Sequence, residues 1–515
     1  MSNEKEYIVV VNRGIDLAEF DNEMSTEYGD SSAIPSRAIE VANARLGSKR
    51  MTHWMLTDEE AQELLNDKRV LSVEIPPDQR NDIQIGIKAT QTSDFTKPSA
   101  VESDKVNWGL RRCIEATNIY TDGTTASNQY PYALDGTGVD VVIQDSGLQV
   151  DHPEFVGRVQ QIDWYTESGL SGSQNVNHYR DFDGHGTHCA GIAAGKTYGW
   201  AKNAHVYSQK LVGLEASSDP NSGIPISDAF DAIRLWHAGK ANGRPTIVNM
   251  SWGYSASVGG SPTGGNYRGT AWTWGVDYTA NLALWQATGI VIPISGASRI
   301  IPVRVPSVDA EIEDMIDAGI HVVIAAGNDY YKGDVIGGVD YDNTIVYGGS
   351  TYFYHRGSSP HSDEAIIVGN SDSLTRQSGV NFLDKTSNSS SRGPRLTCYA
   401  PGTNIISTCS TTSIYATGDY TPDTNYKIAL INGTSMAAPQ VAGVIAQYLT
   451  VQPTLSPKNV KDKISNESKP ALFSTGSDSD YSEFGTSLLG APNKFLYSKY
   501  GRQPYYISGG VTISK

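Results

Sequence analysis

The stretch Asn432-Gly433-Thr434-Ser435-Met436-Ala437-Ala438-Pro439 constrains this chain more than any other. A serine stands among small residues, and an apolar run through Val441, Val444, Ile445, Tyr448 and Leu449 follows it at helical spacing. Gly433 and Thr434 read as a tight turn. Pro439 is expected in the first turn of the helix, where a missing N–H does no harm. A serine at a helix N-terminus has its own N–H directed outward, toward a developing oxyanion that the helix dipole also favours. The same residue also fits a plain helix cap. The rest of the chain has to separate these readings.

Other segments place reactive side chains at strand ends. Val141-Val142-Ile143 is a buried, parallel-type strand running into Gln144-Asp145-Ser146-Gly147. An Asp at the carboxyl end of such a strand lies where open α/β sheets hold their ligands, though it also suits an ordinary turn. Asp183-Gly184-His185-Gly186-Thr187-His188-Cys189-Ala190-Gly191 opens a helix in which Cys189, Ile192 and Ala193 face inward. His185 and His188, three apart, also fit two metal ligands, but a zinc site wants a third, and no Glu stands between them. Ile320 to Ala326 is another strand, ending in Gly327-Asn328-Asp329, and Asn328 puts a side-chain amide at that end.

Asp145, His185 and Ser435 supply an orienting carboxylate, a base and a nucleophile, in that chain order. An α/β-hydrolase runs Ser, Asp, His, and a chymotrypsin-like chain runs His, Asp, Ser, so neither matches. An imidazole base predicts activity rising through roughly pH 6–7.

Length and charge bound the rest. The chain of 515 residues is long enough for two domains. Its net charge of -16 argues against a nucleic-acid or anionic-membrane partner. No apolar run is long enough to span a bilayer, and no signal-peptide core follows the first residues. Cys113, Cys189, Cys398 and Cys409 do not form a disulfide framework and read as reduced thiols of a protein made in a cytoplasm. Residues 1–77 read as a small α+β unit, with strands at Tyr7–Val11, Met51–Leu56 and Val70–Ile75 and a helix over Ser36–Leu46. A capping box, Thr57-Asp58-Glu59-Glu60, starts a second helix. Residues 78–105 are polar and aperiodic, a linker open to proteolysis. A Gly- and Trp-rich region over about 254–303 reads as an insertion at the rim of a cleft.

Taken together, these segments resemble the subtilisin-like serine proteases. Asp145-Ser146-Gly147 with His152-Pro153 resembles the family's aspartate motif, and His185-Gly186-Thr187-His188-Cys189-Ala190-Gly191 its histidine motif. Gly433-Thr434-Ser435-Met436-Ala437-Ala438-Pro439 resembles its serine motif, and Ala325-Ala326-Gly327-Asn328 its oxyanion segment. Cys189 and the short Gly195-Lys196-Thr197-Tyr198-Gly199 connection are similar to the proteinase K branch.

The resemblance implies a three-layer α/β/α fold with a mainly parallel sheet over 106–500. It also implies a ferredoxin-like, inhibitor-like prodomain over 1–77, a linker over 78–105 with an autoprocessing site, and a tail over 501–515. The implied activity is peptide hydrolysis by Ser435, His185 and Asp145, with Asn328 and the Ser435 N–H holding the oxyanion. Ser251-Trp252-Gly253 and Ser222-Gly223-Ile224 would pair with the backbone of a polypeptide substrate on its two sides. The prodomain would be an intramolecular inhibitor. No cofactor is implied for catalysis. Structural calcium is implied, with Asp372 as a ligand and Asp340, Asp342 and Asn343 as a second acidic loop. The expected location is a cytoplasm or a phage particle, with export by another route as the alternative. A scaffold that kept the fold without activity, and a lipase or esterase, are the rival classes.

Overall fold

The apolar run from Tyr7 to Val11 produces a strand, and the capping box produces a helix. The computed structural model describes residues 4–26, 33–34, 37–45, 47–87, 90–91, 107–120, 130, 132–175, 177–213, 223–259, 262–290, 299–378, 381–474 and 487–501. Its N-terminal unit runs β1 (Lys5–Val11), α1 (Leu17–Met24), β2 (Glu40–Asn43), β3 (Met51–Leu56), α2 (Asp58–Leu64) and β4 (Val70–Glu74). The antiparallel strand order β2-β3-β1-β4 is that of a ferredoxin-like unit. Both halves of the capping box are present: Glu60 N–H donates to Thr57 Oγ1 at 3.2 Å, and Thr57 N–H to Glu60 Oε2 at 2.9 Å.

The helix expected over 36–46 is not there, and residues 40–43 are strand β2. The helical reading of 36–46 yields here to pairing with β3. The helix of this crossover is α1, whose N-cap Asp16 accepts from Ala18 and Glu19 and whose Phe20 and Met24 are buried.

Next come β5 (Gln84–Ile87) and β6 (Thr90–Gln91). The larger body then runs β7 (Asp140–Asp145), β8 (Val159–Gln160), α3 (His185–Ala194), β9 (His205–Lys210), α4 (Ile226–Gly239) and β10 (Thr246–Met250). It continues through β11 (Trp252–Val258), β12 (Gly264–Tyr267), β13 (Thr270–Thr273), β14 (Arg299–Pro302), α5 (Pro306–Asp317), β15 (His321–Ala325), β16 (Thr344–Tyr347) and β17 (Ser350–Tyr352). Then follow β18 (Ile366–Ser378), β19 (Asn381–Thr386), β20 (Cys398–Pro401), β21 (Ile405–Cys409), β22 (Thr417–Asp419), β23 (Lys427–Asn432) and α6 (Thr434–Val451).

The main sheet has the order β19-β18-β15-β10-β7-β9-β8, with β20 beside β18. All its pairs are parallel except β18–β19. Successive side chains of a strand point to opposite faces. Val141 and Ile143 therefore pack with Ile192, Val441 and Val444 of α3 and α6, while Val142 packs with Ala229, Ile233 and Ile312 of α4 and α5. This gives three layers, α/β/α.

The described residues of the region 254–303 include regular strands. β11 continues to Val258 and is paired by β14, and β12 and β13 join β16 and β17 in a separate sheet. The N-terminal unit lies on α4 and α5. Ile8, Val10 and Met51 pack on Ala310, Arg45 reaches Asp231 at 3.1 Å and Glu311 at 2.6 Å, and Glu74 accepts from Ser307 N–H at 2.7 Å.

Candidate active site

Parallel pairing aligns the carboxyl ends of β7, β10 and β15, so Asp145, Ser251 and Asn328 come to one edge of the sheet. α3 and α6 begin at the same edge, with His185 first in α3 and Ser435 just inside α6. His185 Nδ1–H donates to Asp145 Oδ1 at 2.6 Å, and both side chains are fully buried. A close backbone approach makes this possible: a Cβ on Gly186 would sit 2.1 Å from the Gly147 carbonyl oxygen. Ser146 Oγ accepts from Gly186 N–H at 2.8 Å and donates to Asp181 Oδ1 at 2.8 Å, which fixes the two loops to each other.

Burial is the largest influence on His185 and opposes charge on the ring. The Asp145 carboxylate, followed by Cys189, more than offsets it and holds the imidazole pKa well above the ordinary histidine value. Asp183 was not expected at this site. Its carboxyl is pushed up to about 6, chiefly by burial, with the neighbouring imidazole pulling it back down. The Tyr415 ring also lies against the imidazole, 6.4 Å between centroids. The sequence carries no spacing signal for either residue.

Ser435 does not cap its helix; the N-cap is Gly433, with φ +148°. Pro439 lies inside the helix, a turn later than expected. It has no N–H to give the carbonyl four residues back. That carbonyl belongs to Ser435, and it accepts instead from Ser251 Oγ at 3.1 Å and Cys189 Sγ at 3.4 Å. The proline thus frees an acceptor that ties the serine to β10 and α3. Ser435 Oγ donates to the Ser251 carbonyl at 3.0 Å, and His185 Nε2 has no hydrogen-bond partner among the described residues. Asn328 Oδ1 accepts from Thr434 N–H at 3.0 Å and Thr434 Oγ1 at 3.1 Å, which uses the acceptor end of the amide and leaves its N–H groups as donors.

Cys189 lies beneath the imidazole, with Sγ 3.9 Å from His185 Nδ1, and is fully buried. Asp145, His185 and Cys189 have donor atoms within 4.8 Å of one another, and the Cys189 sulfur among them is a soft donor suited to mercury. Mercuric ion is therefore expected to inhibit, and Cys189→Ser to remove that sensitivity while retaining activity. Equal inhibition of the variant would place the sensitive thiol elsewhere.

The metal readings fare differently. His188 turns away from the site: its Nε2–H donates to the Ile405 and Ala429 carbonyls at 3.1 and 3.0 Å, and burial lowers its pKa to about 3. It is no zinc partner for His185. Asp340 is held by Arg268 at 2.6 Å and Lys332 at 2.8 Å, and Asp342 by Arg356 at 2.5 Å, so this loop is ion-paired rather than open to calcium. Asn343 donates to Asp340. Among the described residues, Asp145, His185 and Cys189 form the one group of three or more His, Cys, Asp or Glu with converging donor atoms, and Asp372 belongs to no such group.

The two expected substrate-pairing segments also differ. Trp252 and Gly253 lie in β11 and pair antiparallel with Ile87 and Gly86 of β5. Ser222 is outside the described residues. Ile224 donates its N–H to the Lys210 carbonyl at 2.9 Å and buries its side chain. β6 pairs with β23, Thr90 opposite Asn432 and Gln91 opposite Ile431.

A model of the subtilase family matches residues 136–486. A subtilisin-like protease of Coccidioides posadasii is 28% identical, over 77% of this chain and 63% of its own length. The subtilisin-like serine protease Pen c 2 of Penicillium citrinum is 27% identical, over 73% of this chain and 64% of its own length. The chain thus spans a little under two thirds of these relatives. Among solved structures, fervidolysin from Fervidobacterium pennivorans, described as a keratinolytic enzyme related to subtilisin, is similar with a TM-score of 0.51. The match has 16% identity and covers 97% of this chain and 61% of that one, a likeness of fold.

These relatives correct one expectation. They are subtilisin-like and alkaline proteases of fungi, and the cytoplasmic or phage-borne location is not borne out. The cysteines misled because all four are buried and free, and a thiol packed in a core says little about the surrounding redox state.

Proposed function

The chain belongs to the subtilase family, and from that membership we propose that it is a serine endopeptidase working through Asp145, His185 and Ser435. The observation that carries this reading is the buried Asp145–His185 hydrogen bond beside a serine at a helix N-terminus. Ser435 Oγ turns from the Ser251 carbonyl to His185 Nε2, gives up its proton there and attacks the scissile carbonyl. His185 then returns that proton to the leaving amine, and water repeats the sequence on the acyl-enzyme. Asp145 fixes the tautomer and stabilises the imidazolium. Asn328 and the Ser435 N–H receive the oxyanion. Backbone pairing along Ser251-Trp252-Gly253 reads the main chain before the side chains, which supports broad specificity toward polypeptides.

Asn328→Ala is expected to lower kcat by about 10²–10³-fold with KM nearly unchanged, because its bond strengthens in the transition state. A change confined to KM would make Asn328 a ground-state contact.

The protein is further proposed to be a proprotein that cuts itself. β5 pairs with the strand leaving Ser251, and β6 pairs with Asn432 just before Ser435, so the linker approaches the serine from both sides. This supports cleavage between Ile87 and Thr90, a narrower window than 78–105. A tethered segment meets the site far more often than a free peptide. After cleavage, residues 1–77 act as a docked inhibitor through the contacts to α4 and α5. N-terminal sequencing of the purified protein tests this: a new terminus at 88, 89 or 90 is expected. A full-length chain that hydrolyses peptides would sink self-processing while leaving the protease reading intact.

A further inference from the structure

We infer that the substrate groove extends beyond Gly253 to Ser255, and that β14 is the support that holds this extra edge straight. The inference rests on the protease reading above and names the substrate it takes: an extended chain paired through the residue two positions farther from the cut than Gly86.

The argument begins with Tyr254. Its N–H donates to the Ser359 carbonyl at 3.0 Å, and its carbonyl accepts from Val303 N–H at 3.1 Å. Both of its backbone groups therefore face the core side of β11. Along a strand, successive residues direct their backbone groups to opposite edges. Gly253 and Ser255 must then face the other edge, where β5 lies with Gly86 opposite Gly253 and Gln84 opposite Ser255. Gly86 and Gln84 are thus the hydrogen-bonded partners, while Ile85, opposite Tyr254, directs its own N–H away from β11.

The β14 register agrees. Pro302 stands opposite Ser255 on the core side. A proline has no N–H to donate, and it suits this place because Ser255 has none of its backbone groups turned that way. β14 then follows β11 from Ser255 to Val258, with Ile301 and Val258 fully buried. An unsupported strand leaving the sheet after Gly253 would be free to bend from the substrate. Here the 254–303 region holds it as the central strand of the β14-β11-β5 sheet.

The test uses the wild-type protein as isolated and acetyl-capped peptides of residues 84–91, 85–91 and 86–91. Two further peptides of 84–91 carry a single N-methyl group, on the amide of residue 84 or of residue 85. kcat/KM is expected to fall about tenfold from 84–91 to 86–91, the scale of one pair of backbone hydrogen bonds. Methylation at 84 should bring most of that loss, and methylation at 85 little. Equal rates across the length series, or equal loss from both methyl groups, would overturn the extended groove while leaving the protease standing. No turnover of any peptide or of denatured protein would overturn the protease reading, and this inference with it.

Discussion

Ser435→Ala is expected to abolish peptide hydrolysis and to leave the chain uncut at 515 residues. In subtilisin, removal of the serine lowers turnover by about 2 × 10⁶-fold, and a loss of that order is expected here. The residue carrying the nucleophile is buried and held by its surroundings, not only by its helix: its carbonyl is clamped by Ser251 and Cys189, and its hydroxyl points at the Ser251 carbonyl. Removing one oxygen leaves the carbonyl clamp and the helix intact, so the variant should fold and dock its N-terminal unit as before. The measurement is intact mass beside turnover of an unfolded protein substrate, for both proteins prepared alike. Retention of activity within an order of magnitude would remove Ser435 from the chemistry. Cutting of the variant at the same bond would assign the cut to another protease.

Asp145→Asn is expected to lower kcat by about 10⁴-fold, the scale of the equivalent change in another serine protease. An amide can donate where the carboxylate only accepts, and it then favours the tautomer whose proton is on the wrong nitrogen. The pH profile should move as well. The base works when neutral, so activity rises with pH through the imidazole pKa. In the wild type the Asp145 charge raises that pKa against the opposing effect of burial, so the acid limb should lie above the ordinary histidine value rather than at about 6–7. Without that charge, burial remains, and the limb should shift to lower pH. A limb at the same pH in both proteins would show that Asp145 does not set the charge on the base.

Much of this site could be read along the chain. The strand ending at Asp145, the small-residue helix starting at His185 and the glycine-led helix carrying Ser435 each have a local period and local turn chemistry. The order of the three separates this fold from other triad folds. The structure places them together because parallel strands deliver their carboxyl ends to one edge.

What the sequence by itself determined was therefore the local and the periodic: the buried strands of the main sheet, the capping box at Thr57, the helix after Gly433 and the chain order of the reactive residues. Only the tertiary structure decided the rest. Residues 40–43, read within a helix over 36–46, became a strand because β3 was beside them. Asp340 became an ion-pair partner because Arg268 and Lys332 close on it. Pro439, read locally as a harmless helix start, turned out to free the Ser435 carbonyl for Ser251 and Cys189, residues far away in sequence. Residues 84–87 and 90–91 of the linker, polar and aperiodic to the eye, became strands because β11 and β23 offered them open edges. Period and propensity are properties of neighbouring residues, whereas an edge, a charge partner or an orphaned carbonyl is supplied by another part of the chain and exists once the chain has folded.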